Sequence, residues 1–160
     1  MLIRPANDAD RDAIADVIEP VIAEGETYAL DRDMGRDAAL GYWLGADHQA
    51  FVAEEGGRIV GTYFIRPNQA GGGRHVCNCG YVTAPDSTGR GVARQMHAHS
   101  LQIAKARGYR AMQFNFVISS NERAVRLWRS LGFEIVGRLP LAFESPTHGF
   151  VDALVMHRAL

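Results

Sequence analysis

Apolar side chains recur along this chain with two periods, about 3.6 and about 2, and the switches between them mark its elements. Leu2 to Arg4 reads as a short strand. Asp8 to Asp10 introduce a helix with Ala13, Ile14, Val17 and Ile18 at helical spacing, expected to stop before Pro20. A second helix is expected over Asp33 to Leu44, with Met34, Ala38, Tyr42 and Leu44 inward. Gln49 to Glu54 and Arg58 to Ile65 flank Glu55-Gly56-Gly57, a hairpin signal.

Gln69 to Arg74, with Gly71 to Gly73, reads as a loop, and His75 to Thr83 as a long strand ended by Pro85. Val92 to Arg107 is helical and Gly108 closes it. Met112 to Val117 is a strand. Ser119 and Glu122 match a capping box for a helix with an Ala124, Leu127, Trp128 and Leu131 stripe, stopped by Gly132. Phe133 to Arg138 and Val151 to His157 are the last strands, joined by a loop through Pro140 and Pro146. The order implies a mixed α/β fold in one domain, residues 1–160: a mainly antiparallel sheet of seven strands flanked by four helices. Trp43, Phe51, Phe64, Phe114, Phe116 and Phe133 are its expected core aromatics.

Composition narrows the function. Seventeen basic residues against 18 acids leave a formal charge of −1, so no basic excess favours nucleic acid. The two cysteines, Cys77 and Cys79, are too few and too close for a disulfide framework, and read as small buried hydrophobes of a reducing, cytoplasmic protein. No run has the length of a membrane span, and Met1 to Pro5 lacks the apolar core of a signal peptide. Seventeen glycines stand out, and their positions matter more than their number.

Gly89 and Gly91 fall in Thr83-Ala-Pro-Asp-Ser-Thr-Gly-Arg-Gly-Val92, where a strand gives way to a helix. A helix N-terminus presents unpaired N–H groups and partial positive charge, which suits a phosphate. Glycine lets the backbone approach an anion closely, and Arg90 and Arg94 add charge beside it. The Gly-Lys-Ser/Thr of a Walker loop is absent, and Arg94 sits where a dinucleotide fingerprint needs a small residue. A glycine turn with no ligand fits the same pattern.

Three separated strings resemble the GNAT superfamily of acetyl-CoA-dependent N-acetyltransferases. They are Ile3-Arg4-Pro5-Ala6 with the following Asp8 to Ile14, Val82-x-x-Pro85-x-x-Thr88-Gly89-Arg90-Gly91-Val92-Ala93, and Asn121-x-x-Ala124-x-x-Leu127-Trp128-x-x-Leu131-Gly132-Phe133. The resemblance implies an acyl-CoA N-acyltransferase fold whose two central parallel strands splay near Tyr81 and Phe114. It implies that the backbone of Tyr81, Val82 and Thr83 pairs with the pantetheine arm. It further implies that N–H groups of Gly89, Arg90, Gly91, Val92, Ala93 and Arg94 hold the pyrophosphate, with Asn121 near the pantetheine or the thioester. Thr88 stands where Arg or Gln is usual, and Trp128 where a tyrosine is often proposed as general acid; an indole donates a hydrogen bond but does not titrate.

Glu24-Gly-Glu-Thr-Tyr-Ala29, Asn78-x-Gly-Tyr81 and Asn115-Phe-Val-x-Ser-x-Asn121 resemble acetyltransferases of proline analogues and of phosphinothricin, which act on small amino-acid-like amines. The expected activity is acetyl transfer from acetyl-CoA to such an amine by direct attack in a ternary complex, in a homodimer without a metal. Asn78, Asn115 and Asn121 are expected to place the acceptor nitrogen, or to satisfy backbone groups at the sheet split. Glu26 and Tyr28 are expected at the acceptor pocket, Glu26 holding an ammonium or taking its proton through water. His75 is either a base or a solvent-facing strand start. His97 and His99 point different ways on one helix and form no metal pair. The loop from Pro140 to Phe150 would be a lid or a dimer edge. Acyl-CoA sensing without catalysis, nucleotide binding by the same loop, and acetylation of a peptide or protein amine are the alternatives.

Overall fold

A computed structural model describes residues Met1–Leu160. β1 (Leu2–Pro5) leads through a one-turn 3₁₀ segment into α1 (Arg11–Glu24) and α2 (Arg36–Trp43). The Asn7 side chain accepts from Ala9 N–H, Asp10 accepts from Asn7 N–H, and Arg4 grips the Asp10 carboxylate through two nitrogens at 2.8 Å. α1 does not stop before Pro20 but runs through it to Glu24. Proline deletes one helix hydrogen bond, yet Ile22 beyond it is buried and Arg36 binds Asp12, Asp16 and Glu19 along the outer face. The second helix is shorter than its apolar pattern suggests, and its inner residues are Ala39, Leu40 and Trp43; Ala38 is exposed, while Met34, Tyr42 and Leu44 are half-buried.

β2 (Gln49–Glu55) and β3 (Arg58–Pro67) form the expected hairpin, with Gly56 and Gly57 at φ 59° and 78° in its turn. β4 (Val76–Thr83), α3 (Val92–Ala106), β5 (Ala111–Ile118) and α4 (Glu122–Ser130) follow, then the hairpin of β6 (Glu134–Ser145) and β7 (Gly149–Ala159). The cap of α4 is Asn121, not Ser119: its Oδ1 accepts from Ala124 N–H at 3.1 Å. Ser119 is still tied to the sheet, donating its N–H to the Asp152 carbonyl, so the helix starts later. β6 runs through Pro140 where a loop was expected. It is an edge strand, and a bulge between Leu139 and Phe143 takes the proline out of the ladder, with Leu141 N–H donating to the Asp152 carboxylate instead.

The sheet order is β1-β2-β3-β4-β5-β7-β6, antiparallel everywhere except between β4 and β5. α1 and α2 cover one face, where Ile14, Ile18, Leu40 and Trp43 pack on Val52, Phe64 and Val82. α3 and α4 cover the other, over Phe51, Tyr63, Cys77, Cys79, Met112, Phe114 and Phe133. Phe116 is not core: the β5 bulge between Phe114 and Val117 leaves it half-buried, edge-on to Phe143. The Trp43 indole donates to Thr62 Oγ1 at 3.0 Å, and that hydroxyl donates to the Phe51 carbonyl, so no polar atom of this pair is left unpaired.

His97 is buried among Tyr81, Trp128 and Phe133, with Arg158 Nη1 3.2 Å from its Nε2. Burial first, and Arg158 second, push its pKa from 6.5 down to about 4. The unfolded chain therefore takes up this proton first as pH falls, so the stability is whole above about pH 6.5 and is lost toward pH 4. Burial pushes His48 and His99 the same way. Urea unfolding at pH 7.5 and pH 5 should show a drop that H97F makes shallower by about 2 kcal/mol. An equal drop in both proteins would contradict this account.

Candidate active site

Parallel pairing between β4 and β5 covers only Val76 with Ala111 and Cys77 with Met112. Beyond that point the strands part, while β4 stays paired to β3 as far as Thr83 with Gly61. Asn78 sits where the ladder ends and donates its side-chain N–H to the Gln113 carbonyl at 2.9 Å, taking over from the missing backbone partner. Further along, Tyr28 donates its hydroxyl to the Tyr81 carbonyl at 3.0 Å. Gly80 makes room for that contact: a Cβ there would stand 2.6 Å from Phe64 and 3.1 Å from the Tyr28 oxygen. Burial raises the Tyr28 phenol far above its ordinary range, so it is a neutral donor.

A cavity of about 990 Å³ threads the split. One end is walled by Tyr81, Val82, Thr83, Asn121 and Trp128, the other by Glu26, Tyr28, Arg66, Asn78, Asn115 and the Pro146 to His148 turn. Trp128 packs on Tyr81 and Phe114 with centroids 5.2 and 4.8 Å apart, and forms wall rather than acid. The Tyr81 hydroxyl points away into the core, 2.6 Å from Ser100 Oγ.

A second recess of about 490 Å³ lies at the glycine turn. Gly89 and Gly91 hold φ of 79° and 82°, which an L side chain rarely adopts, with open space on the Cβ side of each. The N–H groups of Gly89 through Arg94 donate to no carbonyl or side chain of the protein. They point out of the N-terminus of α3, where the helix dipole is positive. Arg58, bound to Asp86 at 2.5 Å, pins the turn from behind, and Thr88 Oγ1 caps the Pro85 carbonyl. Arg94 donates to Ser130 Oγ at 2.9 Å, and Arg90 pairs with Glu55. This donor row fits a diphosphate, and the recess shares Thr83, Thr88, Ala93, Arg123 and Leu127 with the cavity of the split, an adjacency that fits the arm of an acyl-CoA.

Arg123 and Arg126 also line this recess, and sequence reasoning missed them. Their signal was spacing: three residues apart, on the first turns of the helix that Asn121 caps. Arg66 was missed as well, because only the sheet register puts it beside Asn78.

At the far end, Glu26 is clasped by the last hairpin. Ser145 Oγ donates to it at 2.6 Å, and Thr147 gives both its hydroxyl at 2.6 Å and its N–H at 3.2 Å. These donors hold its carboxyl below the usual carboxylate range. Asn115 links Gln113 and Asn68, at 3.0 and 2.7 Å. His75 is exposed and outside the cavity wall, which leaves it a strand-start residue. His99 turns to Tyr63 and His97 to Arg158, so the two share no ligand.

The family model described as the acetyltransferase (GNAT) family matches residues 17–133. A GCN5-related N-acetyltransferase from Kribbella flavida superposes with a TM-score of 0.93 at 39% identity, over 99% of this chain and 97% of that one. The N-acetyltransferase aca1 of Schizosaccharomyces pombe is 32% identical over 98 residues, 61% of this chain, which spans 47% of that longer protein. The L-amino acid N-acyltransferase MnaT of Escherichia coli is 26% identical over 88% of this chain and 83% of its own. With the split sheet and the glycine turn in the places the sequence motifs require, the chain belongs to the acetyltransferase (GNAT) family.

Proposed function

We propose that the protein is an N-acetyltransferase moving an acetyl group from acetyl-CoA to the amine of a small amino acid or amino-acid analogue. The observation that carries this reading is a pair of adjoining recesses that share Thr83, Thr88, Ala93, Arg123 and Leu127 in their walls, one at the free N–H row of the glycine turn and one running through the β4–β5 split to a polar end. Acetyl-CoA, when bound, supplies an activated thioester carbonyl. The chain's contribution is placement: Gly89 to Arg94, with Arg123 and Arg126 beside them, take the phosphates, and the free edge of β4 near Tyr81 and Val82 orients the acyl carbonyl. Asn121 fixes the start of α4, and so the wall formed by Trp128. The likeness to an L-amino acid N-acyltransferase supports a small amino-acid acceptor.

Asn78, Asn115 and Glu26 occupy the acceptor end. Glu26, clasped by Ser145 and Thr147, stays ionised and attracts an ammonium; loss of the amine's proton then goes through water. No titratable group replaces the tyrosine that Trp128 supplants, and the departing thiolate takes its proton from water.

The protein acts in the cytoplasm as a homodimer in this reading. No helix is long and apolar enough to cross a membrane. The β6 edge with its hairpin exposes Val136, Leu141 and Phe150, at 57%, 65% and 64%, and a second copy covers them. Sedimentation should give a dimer that V136K/L141K converts to monomer; a wild-type monomer would refute this.

Titration calorimetry with acetyl-CoA, paired with thiol release over amino acids, phosphinothricin, polyamines and peptides, tests the activity. Binding with turnover of amino acids is the expected result; binding without any turnover would make the protein an acyl-CoA sensor, and turnover of peptides alone would move the acceptor class. Gly91→Val forces a β-branched residue into left-handed backbone and crowds the donor row. It should weaken acetyl-CoA binding by about tenfold or more. Unchanged affinity would remove the turn from the site.

A further inference from the structure

Arg66 lies near the end of β3, directly opposite Asn78 in the antiparallel register, so both side chains rise from one face of the sheet. Asn68 and Asn115 hydrogen bond to each other beside them. All but Asn68 line the cavity at its acceptor end. The Arg66 guanidinium makes no hydrogen bond within the protein. Its one ion-pair contact is long, 3.6 Å from Nη1 to Asp47, whose carboxylate is 61% exposed. Its Nε is buried without any partner, the single buried side-chain nitrogen or oxygen of the chain left so.

A buried donor with no acceptor is an unfavourable arrangement that folding alone does not explain. The other basic side chains of the cavity are placed otherwise: Arg32 donates to the Ala23 carbonyl, His148 contacts Thr147 Oγ1, and Arg123 stands at the glycine turn. Arg66, held only by its long contact with the exposed Asp47, is thus the positive charge left to meet a ligand at the end where the acceptor enters. A guanidinium presents paired N–H groups that match the two oxygens of a carboxylate.

We infer that Arg66 reads the α-carboxylate of the acceptor, making the enzyme selective for free amino acids over amides, plain amines and peptide N-termini. The inference rests on the acetyltransferase reading above and adds the residue that selects its acceptor. The carboxylate supplies at Nη2, and after a small side-chain rotation at Nε, the acceptor that the fold withholds. Asn78, next to Arg66 and at the mouth of the split, then lies on the amine side of the same small molecule.

The test compares an amino acid with its primary amide on wild type, R66Q and R66K, by thiol release and by calorimetric binding of each acceptor. Wild type should prefer the free acid by about 10- to 100-fold in kcat/KM. R66Q should bring the acid down toward the level of the amide, chiefly through KM, abolish the acid's binding heat, and change the amide far less than the acid. R66K, which keeps the charge without the fork, should fall between, and serves also if R66Q does not fold. Equal use of acid and amide by wild type, or a preference that survives in both variants, overturns the role of Arg66 while leaving acetyl transfer intact. Absence of thiol release with every amine overturns the acetyltransferase reading itself, and Arg66's role with it.

Discussion

The structure turns on the place where two parallel strands stop pairing. A sheet normally satisfies its own N–H and C=O groups, and opening it in the interior leaves donors and acceptors without partners. Here β4 and β5 hold together for two residue pairs and then separate, and the molecule is arranged around that wedge. Asn78 bridges its apex and Tyr28 takes the Tyr81 carbonyl further out. Both are side chains standing in for a missing strand. What remains unpaired along the gap is available to an extended ligand, which can complete the sheet as a strand would.

The helices follow from the same wedge. α3 begins at the end of the diverging β4, so its unpaired N–H groups open beside the gap. α4 begins just after β5 ends, and Asn121 sets the angle at which Trp128 closes the far wall. The aromatic series from Phe51 through Tyr63 and Tyr81 to Trp128, in successive contact, keeps the α3 and α4 side rigid while the sheet is open.

The strand and helix order was readable because most elements are amphipathic with clear punctuation. Gly56-Gly57, Gly108 and Gly132 adopt the left-handed backbone that their positions suggest. The failures share a cause. Pro20 and Pro140 are local stop signals, overridden by tertiary contacts that no local window contains: Ile22 in the core, and the Asp152 carboxylate across the last hairpin. Ser119 matched a capping pattern, but its N–H is taken by the Asp152 carbonyl of the sheet. In the site, the glycine turn was legible because its chemistry is contiguous in sequence. Arg66 and the Ser145–Thr147 clasp were not, because strand register and hairpin docking bring them into place from distant segments.

That clasp has a kinetic side. Glu26 and Thr147 are separated by 121 positions, and their contact closes a loop that contains β2 through β6. Contacts of such long range are entropically late, gaining little until the intervening elements are ordered. During synthesis the glycine turn and α3 are made before the hairpin that holds Glu26. The anion cradle therefore has its parts in the chain before the segment that completes the acceptor wall has been made.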